Sequence, residues 1–166
     1  LYADRSGNIG YSLAGKIPCR RAAPTLLPVA GWDPKNDWQS HIPFGELPRV
    51  YNPPGGTLAT ANNRIAGENY PYYLSQFFEP PQRIRRIEQL LAQREKFSAA
   101  QLAALQLDRT SLHAVELIAT LKAELAAVAE RDATLAEATG CLLAWDGDCA
   151  EISVAATIFH VFHHRL

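Results

Sequence analysis

Glu79-Pro80-Pro81-Gln82-Arg83-Ile84-Arg85-Arg86-Ile87-Glu88-Gln89-Leu90-Leu91 is the stretch in which the chain changes character. Before it, short apolar runs at a period near two alternate with proline and glycine. From Ile84 onward, Ile84, Ile87, Leu90 and Leu91 recur at the spacing of one helical face. Proline suits the start of a helix, because its fixed φ matches the first turn and its missing N–H would have had no intrahelical partner. All eleven prolines lie between Pro18 and Pro81, so nothing beyond residue 81 interrupts a helix. The expectation is an α+β chain. Residues 1–81 carry a β-hairpin, an extended wrap and a short strand, and residues 82–166 form a helical layer.

Toward the C-terminus, Ser98-Ala99-Ala100-Gln101 has the spacing of a capping box, in which the serine oxygen and the glutamine side chain satisfy orphan amides. Ser111 is positioned to cap a third helix running to about Arg131, with Leu112, Val115, Ile118, Leu121, Leu125 and Val128 on one face. Asp148-Cys149-Ala150-Glu151 repeats the box spacing ahead of a terminal helix lined by Ile152, Ala155, Ile158, Phe159 and Phe162. Toward the N-terminus, Leu1 to Leu13 reads as two short strands around a Ser6-Gly7-Asn8 turn. Pro18 to Pro54 reads as a long extended segment laid over a surface. Thr57 to Ala61 reads as a short strand that delivers Asn62 and Asn63 at its end.

The 166 residues are 48% hydrophobic and 20% charged with a formal charge of −1. That balance supports one core and removes the electrostatic case for a nucleic-acid partner or a polybasic membrane surface. No run approaches the ~18 apolar residues of a membrane span. A chain that begins with Leu1 and has no Met suggests a piece cut from a longer protein, with any leader upstream, so localisation is not legible. Neither a Gly-x-Ser-x-Gly elbow nor a phosphate loop is present, since Pro53-Pro54-Gly55-Gly56 lacks the lysine and following helix. Cys19, Cys141 and Cys149 match no zinc spacing, allow at most one disulfide, and read as small packed hydrophobes.

Three features remain as candidates for chemistry. His160, His163 and His164 could share a helical face, but without a carboxylate or cysteine at ligand spacing they read as residues suited to the helix C-terminus rather than a metal site. Asn62-Asn63 is either a turn, which asparagine favours, or a source of neutral N–H donors for an oxygen that becomes negative in acyl transfer. Arg83-Ile84-Arg85-Arg86 places three cations in a first helical turn, against the dipole. That arrangement calls for carboxylate partners, a solvated face or a role in a site.

An ordered series of strings adds to this reading: Tyr2-Ala-Asp-Arg-Ser-Gly-Asn-Ile-Gly-Tyr11, Gly31-Trp-Asp33, Ile42-Pro-Phe44, Glu46-Leu-Pro48, Asn52-Pro-Pro-Gly55, Ala59-Thr-Ala-Asn-Asn-Arg64, Tyr70-Pro71 and Arg83-x-x-x-Ile87. From Leu1 to about Gln93, and more faintly through Leu143 to Gly147 and Phe159-His160, the chain resembles the β chain of the penicillin acylase family of N-terminal-nucleophile amide hydrolases. The resemblance implies an αββα fold and hydrolysis of a linear acyl amide, of the β-lactam side-chain or acyl-homoserine lactone class, through an acyl-enzyme. It implies a serine nucleophile activated by its own α-amino group, which this stretch does not contain, so the stretch alone is expected to be inactive. Asn62 falls where the family places its side-chain oxyanion donor, with Asn63 the alternative in register, and Arg83 matches an arginine that organises the site. The implied partners are the α chain and the N-terminal part of the β chain of the same precursor, with a small amide as substrate. The resemblance allows a structural Ca²⁺ in the longer parent, drawn mainly from segments outside this stretch, and no cofactor is expected within the stretch, which has Tyr73-Leu74-Ser75 where some members supply a Ca²⁺-binding aspartate. The resemblance implies a periplasmic or secreted parent. The alternative from another class is a non-catalytic helical interaction module.

Overall fold

The turn at Ser6-Gly7-Asn8 folds the opening residues back on themselves. In a computed structural model that describes residues 1–21 and 26–166, β1 (Tyr2–Ala3) pairs antiparallel with β2 (Ile9–Ser12), Tyr2 opposite Gly10. Asp4 organises the turn. Its carboxylate accepts from the backbone N–H groups of Ser6 and Asn8, from the Asn8 side chain and from the Tyr2 hydroxyl, all at 2.8 to 2.9 Å. These donors, the Asn8 carboxamide foremost, hold the Asp4 carboxyl down at about 2.

The other edge of β2 pairs antiparallel with β5 (Arg49–Tyr51), giving the sheet order β1-β2-β5. Asn52 follows with φ +45°, a left-handed conformation that asparagine tolerates better than most residues. Its carboxamide accepts from Ile9 N–H at 2.9 Å and donates to Asn8 Oδ1 at 2.8 Å, so side chains extend the ladder past its last strand residue.

The stretch expected as an extended wrap, Pro18 to Pro54, is more structured than that. It holds a second antiparallel pair, β3 (Pro18–Arg20) with β4 (Trp38–His41), and 3₁₀ turns at Pro34–Asn36 and Phe44–Glu46. Residues 22–25 of that stretch lie outside the described residues. Proline is compatible with the strand here because it stands first in β3, and Asp33 caps the first 3₁₀ turn by accepting from Lys35 N–H. The strand expected over Thr57 to Ala61 does not form. A strand needs a neighbour to complete its ladder, and Thr57 to Thr60 have none among the described residues. Among the described residues of this region, Ile42, Leu47 and Ala61 are the buried hydrophobic ones.

The chain divides into two compact units, Leu1–Pro80 and Pro81–Leu166, and the second is helical. α1 (Gln82–Leu91) buries Ile84 and half-buries Ile87, Leu90 and Leu91. α2 (Ala99–Leu105) starts at the complete Ser98/Gln101 capping box, and α3 (Leu112–Thr120) at Ser111, whose hydroxyl accepts from Ala114 N–H. The single long helix expected to Arg131 is broken at Leu121, where ψ is 11°, so that α4 (Lys122–Ala129) is a separate element. The Thr120 hydroxyl donates to the Glu116 carbonyl at 2.8 Å, a back-bond that bends helices at their weakest turn.

α5 (Ala133–Leu143) was not legible in the apolar pattern. Asp132 caps it, accepting from Thr134 and Leu135 N–H, but its inward face includes Thr139. That buried hydroxyl is satisfied by the Leu135 carbonyl at 2.7 Å. α6 (Val154–His163) is capped by Ser153, not by Asp148, and Ile152 precedes the helix and is 91% exposed. Asp148 is engaged instead with Arg109 at 2.6 Å. Ala114, Ile118, Leu142 and Phe159 form the core of this unit, with Leu117, Leu125, Trp145 and Ile158 packed against it.

The turn before α6 depends on one glycine. Gly147 has φ +88°, and a Cβ there would come within 2.6 Å of Val115 Cγ2 and 3.2 Å of the Ser111 carbonyl. That carbonyl faces the turn because Ser111 N–H in turn bonds the Gly147 carbonyl at 2.9 Å. The Trp145 indole N–H closes the turn on the Asp148 carbonyl at 3.0 Å.

Candidate functional site

The residues Ala61-Asn62-Asn63-Arg64 form a tight turn in which the two asparagines play different parts. Asn63 Oδ1 accepts from Ala61 N–H at 3.0 Å, and Asn63 Nδ2 donates to the Arg64 carbonyl at 3.1 Å. This side chain is spent on holding the turn. Asn62 takes φ +62°, and its carbonyl accepts from Glu79 N–H at 2.9 Å, which pins the turn to the segment leading out of the unit. Asn62 is exposed while the preceding Ala61 is buried, so a buried anchor fixes the backbone just before an exposed residue.

Directly after this turn the chain walls a cleft of about 170 Å³, with Arg64, Tyr70, Tyr72, Tyr73, Leu74 and Phe78 in its lining. The Arg64 guanidinium lies 5.5 Å over the Phe78 ring. The Tyr70 hydroxyl donates to the Glu46 carbonyl at 3.0 Å and the Tyr72 hydroxyl to the Glu46 carboxylate. Burial raises the Tyr70 phenol, and the hydrogen bond to Glu46 raises that of Tyr72, so both remain donors over the whole neutral range. Sequence reasoning did not single this cleft out. Its signal was the aromatic cluster of Tyr70, Tyr72, Tyr73, Phe77 and Phe78 in so short a stretch.

Arg83 stands in the first turn of α1 and is exposed. The two arginines that follow it find carboxylates, as the charge run required. Arg85 meets Glu116 at 2.7 Å, and Arg86 makes a two-pronged contact with Asp108 at 2.6 and 2.9 Å while also donating to the Thr110 hydroxyl. These pairings hold the Glu116 and Asp108 carboxyls below their ordinary range. Asn62 and Asn63 therefore share one turn of the first unit, and Arg83 belongs to the second.

The cysteines are all free thiols and none is fully buried. Cys149 sits 3.9 Å from His160 Nε2, yet burial pushes its thiol up, which disfavours the thiolate a nucleophile needs. His160 and His163 lie in the last turn of α6, as their fit to the helix dipole suggested. Among the described residues no group of three or more His, Cys, Asp or Glu is arranged to hold a metal.

The family model for penicillin amidase matches residues 1–166, and the chain belongs to that family. It is 35% identical over 164 residues to the penicillin acylase 2 proenzyme of Pseudomonas sp. (strain SE83), and 34% identical over 172 residues to the acyl-homoserine lactone acylase QuiP of Pseudomonas fluorescens. Each match takes in 98% of this chain and 21% of the relative, so the chain spans about a fifth of the length of the proteins it matches. Penicillin G acylase of Escherichia coli is 32% identical over 88% of the chain. Among solved structures, the thermostable penicillin G acylase of Alcaligenes faecalis shares the mixed helix-and-sheet arrangement. Its TM-score is 0.58 at 27% identity, over 89% of this chain and 27% of that one.

Proposed function

We propose that this chain is part of an amide hydrolase of the penicillin acylase type. It would cleave a linear amide between an acyl group and an amine, of the β-lactam side-chain or acyl-homoserine lactone class, through an acyl-enzyme. Family membership and the printed names of the relatives support the reaction class. Because the chain spans about a fifth of those relatives, the nucleophile and the acyl pocket are assigned to the rest of the same precursor. The 166 residues, a part of the αββα architecture in this reading, contribute supporting groups and no turnover of their own.

The observation that carries this reading is the match of the penicillin amidase family model to residues 1–166, and the Asn62-Asn63 turn is where this chain would contribute to the site. Asn62, exposed at φ +62°, is assigned as the oxyanion donor, and Asn63, whose carboxamide holds the backbone groups of the turn, as its positioning residue. A fixed neutral donor acts on charge that develops in the transition state, and one such donor is typically worth ~3 to 4 kcal/mol. Arg83 is assigned to organising the site.

In the full-length protein, Asn62→Ala should lower kcat by about 10² to 10³, far beyond what the small loss of stability from an alanine at φ +62° accounts for. Arg83→Ala should lose activity together with thermal stability or self-processing, because removing a guanidinium strands whatever it organises. The 166-residue chain alone should not hydrolyse phenylacetyl or long-chain acyl anilides. Full activity and maturation in both Asn62→Ala and Asn63→Ala would remove the oxyanion assignment. Turnover by the purified chain that survives Asn62→Ala would remove the whole reading.

A further inference from the structure

In the helical unit, His113 on α3 and His163 on α6 bring their Nε2 atoms to 3.0 Å from each other, with the ring centroids 4.9 Å apart and the planes at 80°. The rings are braced from below. Phe159, fully buried, stacks on His163 at 5.6 Å and meets His113 edge-on at 6.3 Å. Both histidines are themselves exposed, so solutes reach the pair. Two imidazole nitrogens at this separation either share one proton or offer both lone pairs to a single cation.

The distance suits a cis pair of ligands on one cation. With metal–nitrogen bonds of ~2.0 to 2.1 Å, nitrogens 3.0 Å apart subtend ~94° at the metal. That is the cis angle of square-planar or octahedral coordination, and it falls short of the tetrahedral ~109° of a structural zinc site. Imidazole suits Ni²⁺ and Cu²⁺, which also stand high in the affinity order of divalent metals. We propose that His113 and His163 form a two-histidine site for Ni²⁺ or Cu²⁺ that clasps α3 to α6, with water in the remaining positions.

The surroundings do not complete a cage. Glu116, one turn along α3 from His113, feels that histidine electrostatically, but its carboxylate is already engaged by Arg85 and Gln82. His160, one turn before His163, directs Nε2 toward Cys149 Sγ at 3.9 Å. Two protein ligands, with water in the remaining positions, therefore give reversible binding. The site is independent of the acylase reading.

The test is calorimetric titration of the untagged chain with NiCl₂, joined to thermal unfolding and to the electron paramagnetic resonance spectrum of the Cu²⁺ complex. The expected result is one equivalent bound, a melting temperature raised at saturating Ni²⁺, weaker binding of Zn²⁺, no effect of Mg²⁺, and hyperfine splitting from two imidazole nitrogens. His113→Gln and His163→Gln should each weaken Ni²⁺ binding roughly tenfold or more, while His164→Gln should leave it unchanged. Absence of binding, a single coordinated nitrogen in the unmodified chain, or Ni²⁺ binding untouched by His163→Gln would overturn the site. An equal loss in His164→Gln would also overturn it, by moving the ion to the end of the chain. The nitrogen count on the unmodified chain decides the matter even where a variant fails to fold.

Discussion

The two units solve the problem of holding a chain together in different ways. The helical unit, Pro81–Leu166, wraps α3, α5 and α6 around Phe159, Ala114, Ile118 and Leu142. The unit before it buries few hydrophobic side chains among its described residues, and Trp32, Trp38, Phe44 and Phe77 are each more than half exposed. In place of a packed centre it has polar staples: Asp4 on Asn8 and Tyr2, Asn52 on Ile9 and Asn8, Asn63 on Ala61 and Arg64, and Glu46 under Tyr70 and Tyr72. A hydrophobic core tolerates some exchange of shape among its members, whereas a hydrogen-bonded staple depends on particular atoms. The difference teaches that one unit is governed by volume and the other by individual amides and carboxylates.

The sharpest way to break this comparison is to remove volume from the helical core. Phe159→Ala deletes the ring that touches Trp145, His113 and His163 and should cost about 3 to 5 kcal/mol, seen as loss of helical circular dichroism at lower denaturant. A cost under about 1 kcal/mol would show that this unit is not core-governed. Next comes Gly147→Ala, which combines a positive φ with a Cβ 2.6 Å from Val115 Cγ2. It should destabilise the same unit by roughly 2 to 4 kcal/mol in chemical denaturation.

For the first unit the corresponding blow is to an amide. Asn52→Ala loses two hydrogen bonds and the residue type that accepts φ +45°. It should cost about 1 to 3 kcal/mol, read from the fluorescence of Trp32 and Trp38 during unfolding. Val50→Ala, at a position 42% exposed on the adjacent strand, should cost well under that. If the valine truncation proves the more damaging, the staple description fails.

The smallest effect sharpens the comparison by pH. The Asp4 carboxyl is depressed to about 2 in the folded chain, against an ordinary value near 4. A group with a lowered folded value contributes stability that is fully present above its unfolded value and is lost as pH falls toward the folded one. The first unit should therefore weaken between about pH 4 and pH 2, and Asp4→Asn should flatten that part of the profile. Asp108, Glu116 and Asp148, lowered by Arg86, Arg85 and Arg109, weaken the helical unit in the same direction. Only the tryptophan signals of the first unit should respond to the Asp4 substitution.

Local chemistry made part of this molecule legible from its sequence. The hairpin around Ser6-Gly7-Asn8, the start of α1 beside Pro81, and the caps at Ser98 and Ser111 each depend on residues within four positions of one another. The arginine run announced that carboxylates must exist. That they are Glu116 for Arg85, 31 residues away, and Asp108 for Arg86, 22 away, only the folded chain decided, because no sequence rule fixes the partner of a long, flexible cation. The break at Leu121, the helix with Thr139 on its buried face and the failure of Thr57 to Thr60 to join a sheet belong to the same class. At the candidate site, the sequence singled out two adjacent asparagines and left both a turn and a donor open. The tertiary structure shows the turn: Asn63 bonds the Ala61 and Arg64 backbone, and the Asn62 carbonyl is held by Glu79 N–H from farther along the chain, a contact no local rule predicts.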